Sequence, residues 1–413
     1  MIKIQISDID TFKSDYLLKI KEDIVKRITN LNYAVSHLRD PDHINDNERS
    51  SAKHSTKHII DLIRDKVIDI KDLKVAEYKN TLLNYKNGGE VMDTDLEPLS
   101  VFLDYLLDDT NDSLKDLLIC APEDLFTNNT KLLDDFNINE EIYIKILKHA
   151  FLYDSDIGGK VRQFFHEKNI TEFCPYCNIS RAFYSVNPVT GKIADQHQLD
   201  HFFDKATYPL LSLSLFNLVP SDSVCNTANK HEIHFSDELH LNPYISGFKN
   251  DMKFEPLMDE FGKEVLGIDI KLKIDRNSLR WKQLIGDQDE IHLAPKHGNI
   301  NVFQIHTKYN AKSIYAQTSG LIQMFRDLAT NEKSIRDILN SIQEDEQDNY
   351  ENFKSWYEKY ARGRFHQKNF GELEHSKLYR DLLDFVFENY PQNFHESVND
   401  ILTNSYLPEC GGE

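Results

Sequence analysis

Phe173-Cys174-Pro175-Tyr176-Cys177 and, beyond residues 178–221, Asp222-Ser223-Val224-Cys225 decide how this chain is organised. Each stretch carries a pair of ligand-type residues with two residues between them, the spacing of a knuckle that wraps one side of a tetrahedral metal ion. Zinc accepts thiolate sulfur and, less commonly, carboxylate oxygen. Cys174, Cys177, Asp222 and Cys225 therefore form a candidate four-ligand zinc clasp closing the loop between them. A single CxxC is weak by itself, and the DxxC in register with it strengthens the reading. The competing reading is a set of ordinary buried cysteines.

The composition shifts around this clasp. Within residues 160–235 cysteine, proline and histidine concentrate, helical periodicity weakens, and seven lysines and arginines stand against seven acids. The net charge of −20, from 48 basic and 68 acidic residues, thus arises outside that window. Such acidity excludes a purely electrostatic binder of a phosphate backbone but not local contacts with one. On the N-terminal side Ile2, Ile4 and Ile6 alternate with polar residues, predicting a short strand. Leu17, Ile20, Ile24, Ile28 and Leu31 recur at three- and four-residue steps and predict an amphipathic helix over 14–37. The same spacing returns over 59–67, 99–107, 114–119 and 142–152, with polar loops at Asn87-Gly88-Gly89 and Asn128-Asn129. On the C-terminal side residues 267–274 alternate like a strand, 302–305 suggest another, and 311–407 return to helix, as at Ile314, Leu321, Met324 and Leu328.

The expected fold is mainly α, with a helical region over 1–155, a small central module over 156–245, and short strands then helices over 246–413. A length of 413 residues fits two or three domains. Only 15 glycines and 12 prolines argue against a disordered or fibrous chain. No run reaches the roughly 18 apolar residues that span a bilayer, so no membrane association is expected. The first ten residues lack the layout of a signal peptide. Five cysteines with a single CxxC fit a reducing compartment rather than a disulfide framework, and the expected location is cytoplasmic.

Inside the clasp lie His197-Gln198-Leu199-Asp200-His201-Phe202-Phe203-Asp204-Lys205, then Tyr208-Pro209, Phe216-Asn217-Leu218-Val219-Pro220 and Cys225-Asn226-Thr227-Ala228-Asn229-Lys230-His231. Here the sequence resembles the HNH endonucleases, whose ββα-metal fold hangs a hairpin and a helix around one catalytic divalent ion. It looks most like the HNH nucleases of bacterial anti-phage systems of the Septu and retron-associated kind, which share the Tyr-Pro and Asn-Leu phrasing. The resemblance covers residues 173–231, extending toward 245. It implies a metal-dependent hydrolase of DNA phosphodiester bonds, with an ATPase encoded beside it as partner. Self-association is left open.

The resemblance also assigns roles. His201 matches the general base, which takes a proton from water as a neutral imidazole. Asn217 matches the residue that holds the hairpin loop and so orients the histidine. Asp200 and Asn226 match ligands of the catalytic ion, and their oxygen donors suit a hard cation such as Mg²⁺ or Mn²⁺. Lys230, one turn further on, is placed to neutralise phosphate; a plain surface lysine is the other reading. Two departures stand out: Asn226 replaces the family's last histidine, and Asp222 stands where a cysteine is usual. Two alternatives keep the same residues, namely cleavage of RNA and a non-catalytic zinc module that binds nucleic acid or protein. His197, His231 and His234 read as ordinary histidines, and Cys120 and Cys410 as core and tail residues. Residues 359–368, with four cationic residues, two aromatics and no acid, read equally as a phosphate-gripping segment or a solvated helix end.

Overall fold

A 31-residue helix, α1 (Ile9–Arg39), is the axis of the N-terminal half. Asp8 caps it by accepting from the Thr11 amide at 3.0 Å, which satisfies one of the donors every helix start leaves over. Phe12, Tyr16, Ile20, Ile24, Ile28, Leu31, Val35 and Leu38 recur along one face, and all are buried. Each such side chain withdrawn from water stabilises the fold by roughly 1.5–3 kcal/mol. In the computed structural model the described residues are 1–64, 70, 73–89, 94–153, 156–182, 184–190, 193–195, 198–260, 264–286, 296–330 and 373–388. His197, Cys410 and the basic stretch 359–368 lie outside them.

The chain divides into two units, each assembled from separate segments. The helical unit comprises residues 6–168 and 199–219. Around α1 stand α2 (Asp46–Arg64), α3 (Val75–Asn87), α4 (Glu97–Leu107), α5 (Ser113–Ile119), α6 (Leu125–Asp135), α7 (Glu141–Ala150) and α8 (Asp156–Lys168). Phe12 and Tyr16 of α1 meet Phe164 of α8 with ring centroids 5.0 and 5.1 Å apart, in tilted and edge-on geometries that aromatic rings favour.

The other unit comprises residues 1–5, 169–198 and 220–413. It contains the antiparallel pair β1 (Tyr184–Val186) and β2 (Ile193–Asp195), and a longer antiparallel pair, β5 (Met252–Met258) and β6 (Val265–Leu272), in which Phe254 faces Ile270. The helices α9 (Leu279–Ile285), α10 (Asn299–Val302), α11 (Ile305–Tyr309), α12 (Lys312–Thr330) and α13 (Ser376–Glu388) complete its described part. The chain passes between the units within β3 (Gln198–His201) and β4 (Leu218–Ser221), which pair with each other. The described architecture is thus mainly helical with a few short strands, and no described helix is long and apolar enough to cross a membrane.

Three local expectations are corrected. Residues 2–6 form no strand: Ile2 N–H donates to Pro175 O at 2.8 Å and Ile4 N–H to Pro243 O at 2.9 Å, two unrelated loops, so no ladder develops. The alternation there records burial of Ile2 and Ile4, not sheet pairing. Asn128 and Asn129 are not a loop but sit inside α6, where Asn129 is buried, tertiary context overriding a weak helix former. Residues 302–305 belong to the end of α10 and the start of α11. Ile300, Val302, Phe303 and Ile305 are all buried there, and a short apolar run cannot be told from a strand by periodicity alone.

Candidate metal centre

Cys174 opens a tight turn in which Asn178 N–H donates to Cys174 O at 2.7 Å and Cys174 N–H to Ser180 O at 2.9 Å. Asn178 adopts a left-handed φ of 55°, a conformation asparagine tolerates better than most residues, and the chain turns back there so that Ser180 O meets Cys174 N–H. The second knuckle leads into the π-helical turn Val224–Lys230. Asp222 Oδ1 accepts the amides of Val224 at 2.8 Å and Cys225 at 3.1 Å, while Oδ2 lies 3.6 Å from Cys177 Sγ. One carboxylate therefore does two things: one oxygen caps the turn and the other faces the sulfurs. The two oxygens of a carboxylate let aspartate divide these roles between separate atoms.

The ligand atoms of Cys174, Cys177, Asp222 and Cys225 all lie within 4.8 Å of one another, and all four residues are buried. Around a tetrahedral zinc with Zn–S bonds of about 2.3 Å, neighbouring sulfurs stand roughly 3.8 Å apart. The donor set, the spacing and the burial fit such an ion, and this buried cluster of three cysteines and one aspartate could hold a metal such as zinc. Burial pushes the Cys174 and Cys225 thiols well up, while hydrogen bonds from Cys174 and then Cys225 hold Cys177 well down, so one thiolate is sustained without solvent.

Sequence reasoning missed the residues that support this cluster. Lys308 on α11 places Nζ 3.1 Å from Cys225 Sγ and donates to Asn229 Oδ1 at 2.8 Å. Burial opposes its charge, but the sulfurs of Cys225 and Cys177 outweigh that and raise its pKa. Three thiolates and a carboxylate overcompensate a divalent ion by two charges, and an ammonium at the sulfur offsets one. Beside it, Tyr309 donates its hydroxyl to Cys177 O at 2.8 Å, and Tyr176 stacks on Phe303 at 4.2 Å. A lysine near the end of a short helix far along the chain carries no local signal of such a role.

The loop 199–219 is held by the helical unit. Its 3₁₀ turns Pro209–Leu213 and Leu215–Asn217 are buried throughout. Tyr16 on α1 donates to Leu213 O at 2.7 Å, Ser214 donates to Leu117 O at 2.6 Å, and Ser212 donates to Phe151 O. Asn217 is fully buried: its Oδ1 accepts from Phe203 N–H at 2.7 Å, and its Nδ2 donates to Phe203 O at 3.0 Å and Leu211 O at 2.9 Å. His201 closes β3, half-buried, with Nε2 3.0 Å from Ser212 O and its ring edge-on to Tyr153 at 4.8 Å. Donation from Nε2 to that carbonyl leaves the lone pair on Nδ1, a tautomer assigned from the hydrogen bond. Asp200, its neighbour in β3, is buried.

Asn226 lies in the other unit, where its Nδ2 donates to Gln198 Oε1 at 3.0 Å. Lys230, read either as a phosphate neutraliser or as a plain surface lysine, is buried rather than at the surface, with Nζ 4.5 Å from the centroid of the Phe235 ring. Cys120 is half-buried, and burial pushes its thiol up to about 11, as suits an inert core cysteine.

No family model matches the chain, and no solved structure matches it. A stretch of 101 residues, 23% of this chain, is 31% identical to "Protein ea31" of Escherichia phage lambda, and the match covers 30% of that protein's length. To that extent the chain is similar to a bacteriophage protein.

Proposed function

We propose that this protein is a metal-dependent HNH endonuclease that hydrolyses DNA phosphodiester bonds, acting in the bacterial cytoplasm as the effector of an anti-phage defence system together with an ATPase partner. The observation that carries the proposal is the closed cluster of Cys174, Cys177, Asp222 and Cys225, which ties together the two ends of the segment bearing Asp200, His201 and Asn217. Two further features support it. Strand β3, strand β4 and the turn Val224–Lys230 follow in the order of the family's hairpin and helix. Asn217 also makes the three bonds expected of a residue that fixes a loop.

Under this reading His201 takes the proton from the attacking water at Nδ1, because Nε2 is engaged by Ser212 O. Asn217 holds Leu211 O, the carbonyl just before that of Ser212, and Tyr153 limits rotation of the imidazole. Asp200 and Asn226 would hold a Mg²⁺ or Mn²⁺ ion through a carboxylate and an amide oxygen. When bound, such an ion supplies Lewis-acid polarisation of the scissile phosphate and relief of charge at the leaving oxygen. The zinc-type cluster is structural.

The test is cleavage of plasmid DNA by the purified chain with Mg²⁺ or Mn²⁺, alone and with the ATPase encoded beside it. His201→Ala is expected to lower cleavage by at least about 10²-fold, the worth of a general base, while metal content and melting temperature stay unchanged. Undiminished cutting by His201→Ala would exclude this active site. Absence of cutting by the parent in every arm would favour a non-catalytic zinc module.

A further inference from the structure

Immediately after the second knuckle, a cavity of about 650 Å³ opens between residues 228–234 and 296–304. Its walls carry Lys230, His231, His234, Lys296 and His297 against one acid, Glu232. In a chain with 68 acids and 48 bases, that is a local inversion of sign. Except for the buried Lys230, these side chains are exposed.

Both walls are fixed by bonds that serve nothing else so far described. His231 ends the π-helical turn at a left-handed φ of 44°, held there by donation from its N–H to Asn226 O at 3.0 Å and by Ile233 N–H to Lys230 O at 2.8 Å. Such a conformation is uncommon for a residue with a side chain and persists only where the surroundings impose it. Opposite, His240 stacks on Phe235 at 3.9 Å, donates from Nε2 to Lys296 O at 3.0 Å and accepts Ser236 N–H on Nδ1 at 3.2 Å. Burial, above all, pulls His240 down to about 4, so it stays a neutral brace under Lys296. Gly298, at φ 77°, donates to Leu239 O at 3.1 Å and completes the fixed wall.

We propose that this cavity is a binding groove for the phosphodiester backbone of a nucleic-acid strand, with Lys230 and Lys296 supplying charge and the three rim histidines supplying ring N–H donors. The cavity is larger than one phosphate group needs, and both of its walls carry donors. The inference rests on the nuclease reading, of which it names the surface that holds the strand.

The test uses the full chain carrying His201→Ala, so that bound strands survive, with a fluorescein-labelled DNA duplex and a labelled RNA of the same sequence read by fluorescence anisotropy across a salt series. Lys296→Glu and the pair His234→Ala with His297→Ala alter exposed side chains, and unchanged melting temperature confirms folding. Lys296→Glu is expected to weaken binding by about tenfold and to lower the slope of log affinity against log salt by about 1. Binding of RNA in place of DNA, with the same losses, supports the groove and reassigns the strand. The groove is wrong if the variants keep the parent's affinity and salt slope, if the parent binds neither strand, or if poly-glutamate displaces the strand as well as unlabelled DNA does. Loss of binding in the variants of a chain that never cuts would leave the groove standing and remove the nuclease; intact binding in variants of a chain that cuts would do the reverse.

Discussion

The cysteine cluster and the loop that bears His201 are fixed by different chemistry, although they adjoin in sequence. At the cluster, four side chains offer lone pairs to a common centre, and Lys308 and Tyr309 brace them from a short helix. At the loop, side chains hold backbone instead: Asn217 ties Phe203 to Leu211, and the hydroxyls of Tyr16, Ser212 and Ser214 tie the loop to a helical core. A ligand set is cooperative, because removing one member undoes the others. A hydrogen-bonded loop loses its bonds one at a time. The two regions should therefore fail differently when probed.

The largest effect is expected at the cluster. Cys177→Ser, or prolonged chelation of the parent, should abolish stoichiometric metal and destabilise the unit that contains it, since metal-linked folding energy in such sites is on the order of 10 kcal/mol. Metal analysis and thermal melting followed by near-UV circular dichroism check this; a variant that melts like the parent would show that no ion holds the cluster. Next comes Asn217→Ala, which leaves Phe203 N–H, Phe203 O and Leu211 O without their partner in a buried site. At about 1–3 kcal/mol for each stranded group, partly relieved by water, a loss of roughly 3–5 kcal/mol in chemical denaturation is expected. Bound metal should be retained, and its disappearance would erase the contrast drawn here. Smallest is Lys308→Met, which keeps all four ligands but removes the ammonium at Cys225; metal affinity should fall by about 10–100-fold in competition with a chromogenic chelator. Equal affinity would mean that Lys308 is mere packing.

Much of this arrangement was legible in the residues. The spacing of Cys174, Cys177, Asp222 and Cys225 announced a cluster because ligand geometry is short-ranged and tolerates few spacings. The stripe of α1 was equally plain, since a long buried face repeats many times. The supports were not. Lys308, Tyr309 and the partners of Asn217 act across long stretches of chain and have no local pattern. Asn129 and residues 302–305 misled because short segments take their conformation from what they pack against. The N-terminal helical region offered no motif, yet α1, Leu117 and Phe151 prove to be where the 3₁₀ turns below His201 are moored.

That mooring bears on how the protein can be dissected. A fragment cut to the motif-bearing stretch 156–245 would leave Tyr16, Leu117 and Phe151 behind and strand the carbonyl and hydroxyls they receive or satisfy. Grafting the nuclease-like segment onto another scaffold would meet the same obstacle, because half of its framework is spelled out long before the motif begins.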